Sequence, residues 1–184
     1  VEDVVKLAER ARREGLLALE DAVKEVPHPF LKRGLQLAID GTDPEELHDI
    51  LHAEITAKKK ADKAGAKIFE NMGGFAPTIG IIGTVMGLVH VLENLDKPET
   101  LGHSIAAAFV ATLWGVLSAN LLWLPIGNRL GRLSALEVDQ MELTIEGVLA
   151  IQSGSNPRLV AQKLRSLLPP GGKPAADDKG KKAA

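Results

Sequence analysis

Hydrophobic positions fall into two regimes along this chain. Near both ends they recur at helical spacing among charged residues, whereas residues 71–92 (22 residues) and 100–128 (29 residues) contain no Asp, Glu, Lys or Arg. A helix needs about 20 apolar residues to cross a bilayer. Two such runs side by side predict a transmembrane hairpin: one span over 71–92, a short extracytoplasmic connector over 93–103 and a second span over 104–128. The fold class expected is therefore an all-α membrane protein, with cytoplasmic helices before the hairpin (1–70) and after it (129–168).

The flanking elements follow from periodicity and stop signals. Val4, Leu7, Ala8, Ala11, Leu19 and Val26 predict a helix over 1–26, ended by "PHP" at 27–29, and a short helix follows around Phe30–Ile39. In "TDPEEL", Asp43 is an N-cap, Pro44 takes the first helical position and Glu46 stands three residues after the cap. The helix opened there runs through a Lys cluster into the first span, and Gly73 and Gly74 are expected to loosen it. Leu130, Leu133, Leu136, Leu143 and Ile151 predict a long amphipathic helix that stops near "SGSNP"; Asn156 and Pro157 open another, ending at Leu168. The stretch "PPGGKPAADDKGKKAA" (169–184) is too polar and too rich in Pro and Gly to bury anything and reads as a disordered tail.

Charge sets the orientation. The net charge of −2 says little, but Lys58, Lys59, Lys60, Lys63 and Lys67 precede the first span and Arg129 and Arg132 follow the second, while "ENLDKPE" (93–99) holds one Lys against three acids. Basic residues favour the cytoplasmic side, so the connector faces outward. The charged N-terminal stretch "VEDVVKLAERARREG" has no signal-peptide character, and the absence of Cys excludes disulfides and thiolate metal sites.

Both spans carry stripes of small residues. Gly80, Gly83, Thr84 and Gly87 share one helix face in the first, and Ala108, Ala111, Thr112 and Gly115 share one in the second, continued by Ser118 and Ala119. In lipid, helices associate through close packing and interhelical hydrogen bonds, which small side chains permit. Thr84 lies nine residues before Glu93 and Thr112 nine after His103, so across a hairpin both stand about 13 Å from the outer boundary and level with each other. Each is central in its stripe, which points both hydroxyls at one polar seam. Pro77 and Pro125 lie nearer the cytoplasmic ends, where each removes a backbone hydrogen bond and can act as a hinge. Asn120 predicts an interhelical hydrogen bond, and His90 and His103 read as interfacial residues without special chemistry. Neither span holds a carboxylate, Lys or Arg, and intramembrane ionisable groups are what proton relays are normally made from, so an ion crossing here would need a titrating group from another chain.

These stretches resemble a known family. "AFVATLWGVLSANLLWLP" (108–125) resembles the signature of the MotA flagellar stator proteins through Ala108, Phe109, Thr112, Gly115 and Pro125; "FAPTIGIIGTVMGLVHVL" (75–92) is similar to their third transmembrane helix, and "GVLAIQSGSNPRLVAQKLRSLLP" (147–169) to the segment that follows. The resemblance implies four transmembrane helices, of which this chain holds the last two and lacks the first two. It also implies a ring of five copies around two copies of MotB, whose transmembrane Asp carries the ion, in the bacterial inner membrane at the flagellar base. Ion flow would turn the ring, and its cytoplasmic domains would push on FliG of the rotor. The family's Arg and Glu around a central Gly match Arg12 and Glu20 in "RREGLLALE", eight residues apart and so roughly on one side of a helix, and Glu54 matches another family acid. Sodium-driven members resemble this chain in having Thr at both positions 84 and 112, and two hydroxyl oxygens suit a hard cation. The transported ion is thus H+ or Na+, with no further cofactor, no metal and no nucleic acid implied.

The alternatives are a TolQ/ExbB-type proton-channel subunit energising outer-membrane processes, and a membrane scaffold using the hairpin only for attachment. An enzyme is not expected: no nucleophile with a nearby base, phosphate loop or metal-ligand cluster stands out.

Overall fold

A computed structural model describes residues 2–96 and 98–167; the tail over 169–184 lies outside the described residues. Every regular element among them is helical: α1 (Glu2–Glu14), a 3-10 turn (Leu16–Leu19), α2 (Glu20–Lys24), α3 (Pro29–Ile39), α4 (Pro44–Glu93), α5 (Pro98–Ser118), a π-helical turn (Ala119–Trp123), α6 (Leu124–Gln152) and α7 (Pro157–Leu167). The described residues divide into two compact units, one formed by 2–57 with 137–167, the other by 58–96 with 98–136.

The first unit is built as a water-soluble helical core. Leu19, Leu35, Leu47, Leu51 and Val148 are fully buried, joined by Ile151, Val160 and Leu164. Each fully buried Leu or Val contributes about 1.5–3 kcal/mol relative to exposure. The helix expected over 1–26 is interrupted, because Gly15 takes φ +86 with ψ 168, a backbone region open essentially to glycine alone. The chain turns there into the 3-10 segment, which buries Leu19. Asp43 caps α4 as expected: its carboxylate accepts the Glu45 amide at 2.9 Å, meeting one of the unpaired donors of the first turn. Gly154, at φ +64, stops α6, with the Ser155 amide donating back to the Ala150 carbonyl at 3.1 Å; Asn156 then caps α7 by accepting the Arg158 amide at 3.0 Å.

The second unit obeys different rules. Two helical stretches, Pro44–Glu93 and Pro98–Gln152, are long and apolar enough to cross a membrane, and only 11% of the most apolar window in each is buried. Soluble core helices of that hydrophobicity are mostly buried, so these faces are made for an apolar surrounding. α5 begins at Pro98, inside the expected connector, because Pro suits a first helical turn where its missing N–H is no loss. Gly73 and Gly74 do not loosen α4, which is helical without a break from Pro44 to Glu93. Gly73 has a packing reason instead: a Cβ there would meet the Leu124 side chain at 2.6 Å.

Candidate functional site

The place where the two apolar helices come closest is set by glycine. A Cβ on Gly80 would stand 2.9 Å from the Ala111 carbonyl oxygen and 3.2 Å from the Gly115 Cα; one on Gly115 would stand 2.7 Å from the Ala76 carbonyl oxygen and 3.0 Å from the Gly80 Cα. Backbone therefore lies on backbone at this level, which any side chain would prevent. Towards the connector end the contact loosens by one methyl group: Gly83 faces the Ala111 Cβ and Gly87 the Ala108 Cβ, at 3.0 and 2.7 Å from their own would-be Cβ atoms.

That approach brings main-chain oxygens of one helix within reach of short polar side chains on the other. Thr84 Oγ1 lies 2.8 Å from the Ala108 carbonyl oxygen across the seam and 3.2 Å from the Gly80 carbonyl oxygen of its own preceding turn. Thr112 Oγ1 lies 3.3 Å from that same Gly80 carbonyl, and the two hydroxyls are hydrogen bonded to each other. Two threonines share two protons among themselves and two carbonyls that have lone pairs to spare. The result is four neutral oxygens, two hydroxyl and two carbonyl, converging between helices that carry no charged residue over 71–92 and 100–128. Both threonines are half-buried. Such a set suits a partly dehydrated hard cation, or a hydroxyl chain along which a proton is relayed.

Two weak points in the helical ladder lie toward the other end of the seam. Pro77 stands inside α4 and cannot donate to the Gly73 carbonyl. On the facing helix a π-helical turn over Ala119–Trp123 immediately precedes Leu124 and Pro125, and Leu124 is the residue that packs on Gly73. The two prolines thus flank the Gly73–Leu124 contact, with Pro77 about one helical turn further along the seam, and π-turns are a recognised place for such irregularity. Asn120, within that turn, does not bridge helices: its side-chain amide donates to the Val116 carbonyl at 2.9 Å, because its side chain is exposed and reaches only its own preceding turn.

The charged residues expected to face a partner lie in the other unit. Arg12 lies in the last turn of α1 and Glu20 opens α2, both exposed, with the Gly15 break between them. They do not share one helix face, as their spacing suggested, since the chain is not one helix there. Glu54 is half-buried and its Oε2 lies 3.0 Å from Arg33 Nη1, an ion pair held by proximity without an aligned hydrogen bond. Arg33 gave no sequence signal, because its partner lies a helix away.

A profile of the MotA/TolQ/ExbB proton channel family matches residues 22–143, more than half of the chain. The chain belongs to the MotA/TolQ/ExbB proton channel family. Among its members, Motility protein A of Bacillus subtilis is 46% identical over 162 residues, covering 88% of this chain and 60% of that protein. Motility protein A of Borreliella burgdorferi is 41% identical over 167 residues, covering 91% and 64%. The solved structure of the flagellar MotAB stator complex from Bacillus subtilis superposes with a TM-score of 0.87 at 44% identity, covering 93% of this chain and 67% of that one. The chain therefore spans about 60% of the length of the first of these relatives. Family membership makes the two apolar helices membrane helices and the fold an all-α membrane fold.

Proposed function

We propose that this chain is a stator subunit of a bacterial flagellar motor, working in the inner membrane at the flagellar base as an ion-driven force generator without enzymatic chemistry. The observation that carries the reading is the four-oxygen cluster of Thr84, Thr112, Gly80 and Ala108, set at one depth between two apolar stretches, 71–92 and 100–128, that hold no Asp, Glu, Lys or Arg. A hydroxyl pair can pass or briefly coordinate a cation, but it cannot hold one against the membrane without a counter-charge. A MotB-type partner would supply that charge as a transmembrane Asp, which agrees with a relative solved as a MotAB complex. A ring of five copies around the partner, turning as the ion passes, would move Arg12 and Glu20 past charged groups of the rotor protein FliG. Pro77 and Pro125 would let the cytoplasmic ends of the spans swing.

Sodium is the ion that oxygen ligands favour over a bare proton relay. The test is swimming speed against external sodium in cells carrying Thr84→Ala. Loss of sodium dependence, or a requirement for about tenfold more sodium, is the expected result; an unchanged speed at every sodium concentration would end the sodium reading and leave protons. A TolQ/ExbB-type role in energising the outer membrane is the second reading, and the relatives named Motility protein A weigh against it.

A further inference from the structure

We propose that the basic collar where the two apolar helices emerge is a binding surface for anionic phospholipid headgroups. It rests on the reading that those helices lie in a bilayer. Three contacts fix which residues share a level. Ser134 Oγ donates to Asp62 Oδ2 at 2.9 Å, a Cβ on Gly127 would stand 3.4 Å from the Ala66 carbonyl oxygen, and Gly73 packs on Leu124. Residues 62–73 of α4 therefore run alongside residues 124–134 of α6, and Lys63 and Lys67 stand at the depth of Arg129 and Arg132, with Lys59 and Lys60 about one turn beyond.

Charge and depth both point to lipid. Over 58–70 and 126–134 there are five Lys and two Arg against Asp62 and Glu70, a balance of 7 − 2 = +5 in a chain whose net charge is −2. Both acids are already engaged, Asp62 by Lys58 at 2.9 Å and Glu70 by Lys67 at 3.3 Å. Lys59, Lys60, Lys63, Arg129 and Arg132 are exposed. The charge-free runs end at Asn71 and Asn128, so Lys67 and Arg132 lie about 6 Å beyond them, and Lys63 about 12 Å, at 1.5 Å per residue. The headgroup layer is roughly 5–8 Å thick on each side of the hydrocarbon. Long basic side chains reach back into it while their stems lie along apolar surface, and Lys59 and Lys60 stay within about a Debye length of its phosphates. A protein partner would have to enter that layer to meet this surface; anionic lipid is there already. Binding would fix the depth of the hairpin.

The test uses the full chain, extracted in mild detergent and exchanged into micelles with equal phosphatidylglycerol and phosphatidylcholine, with the retained lipid measured by mass spectrometry. Retention of phosphatidylglycerol about fivefold over phosphatidylcholine is expected at 0.1 M salt, near the effect of one basic residue at an anionic surface. It should fall towards parity at 0.5 M salt, and in the variant combining Lys59→Gln, Lys60→Gln, Lys63→Gln and Arg132→Gln. Parity in the unmodified protein, a salt-independent preference, or a helical variant that keeps the full preference would each overturn the proposal. Should the variant lose its helical circular dichroism, the salt series decides. Flotation with liposomes separates the two readings: failure to float with any lipid removes the membrane reading itself, whereas equal flotation with neutral and anionic vesicles removes the collar alone.

Discussion

The two units of this protein solve the same packing problem with opposite materials. In the first, the interior is made of large side chains, with Leu19, Leu35, Leu47, Leu51 and Val148 at 0% exposure, while in residues 58–136 the buried apolar residues are Ala66, Val91, Ala108 and Ala119. The large apolar residues of that second unit are on the outside: Phe75, Ile79, Met86, Phe109 and Trp114 are all more than half exposed. Water explains the first arrangement, because burying apolar area removes it from solvent. Lipid explains the second, because hydrocarbon is as good a neighbour for Ile as protein is, so helices gain only from fitting closely. Hydrophobicity thus drives one interior and shape the other.

The comparison predicts that damage runs in opposite directions. Shrinking a side chain should hurt the first unit most. Leu51→Ala removes a fully buried side chain of the core cluster and should cost about 2–5 kcal/mol, read as a large drop in Tm of the detergent-solubilised protein. A drop no larger than that of a surface substitution would remove the claim that this unit has a packed core. Enlarging a side chain should hurt the second unit. Gly115→Ala would set a Cβ 2.7 Å from the Ala76 carbonyl oxygen, which is backbone and cannot rotate away, so the helices must part at a cost of about 1–3 kcal/mol. Gly131→Ala is the control: nothing lies within 4 Å of its would-be Cβ, and in a helix the change should be neutral or stabilise by up to about 1 kcal/mol. Equal effects at the two glycines would mean that close helix approach is not what Gly115 provides.

How far the sequence reveals this differs between the units for the same reason. The small stripes and the level of Thr84 with Thr112 follow from period and counting, since a membrane helix must satisfy its own backbone and has little freedom to deviate. The carbonyls of Gly80 and Ala108 are invisible to that reading: main-chain oxygens have no letter, and only the absence of Cβ atoms at Gly80 and Gly115 hinted that backbone would be exposed there. In the first unit the apolar pattern shows that a core exists, but it ran straight through Gly15, because Leu19, in the 3-10 turn beyond the break, stays roughly in phase with the buried residues of α1. A single positive φ outweighed that periodicity. Arg33 beside Glu54, and Asp62 beside Ser134, are pairs of distant residues with no local signature.

Asp62 offers the smallest effect and the finest test of the boundary between the two solvents. Its hydrogen bonds from Lys58, first, and from Ser134 hold its carboxyl below the ordinary value of 3.8. A depressed carboxyl stabilises the folded state fully above its ordinary value, and the gain is lost as pH falls from there through the depressed one. Asp62→Asn should therefore lower Tm slightly at pH 7, and the gap to the unmodified protein should close below about pH 4. The side chains of Asp62 and Lys58 are about 30% exposed, so the gap should also narrow with salt. A gap that persists unchanged at low pH would mean that Asn disturbs packing against Ser134 and that charge contributes nothing. Were the gap insensitive to salt but sensitive to pH, the Lys58–Asp62–Ser134 group would be drier than its exposure implies, and the low-dielectric region would extend past the last residues of the charge-free runs.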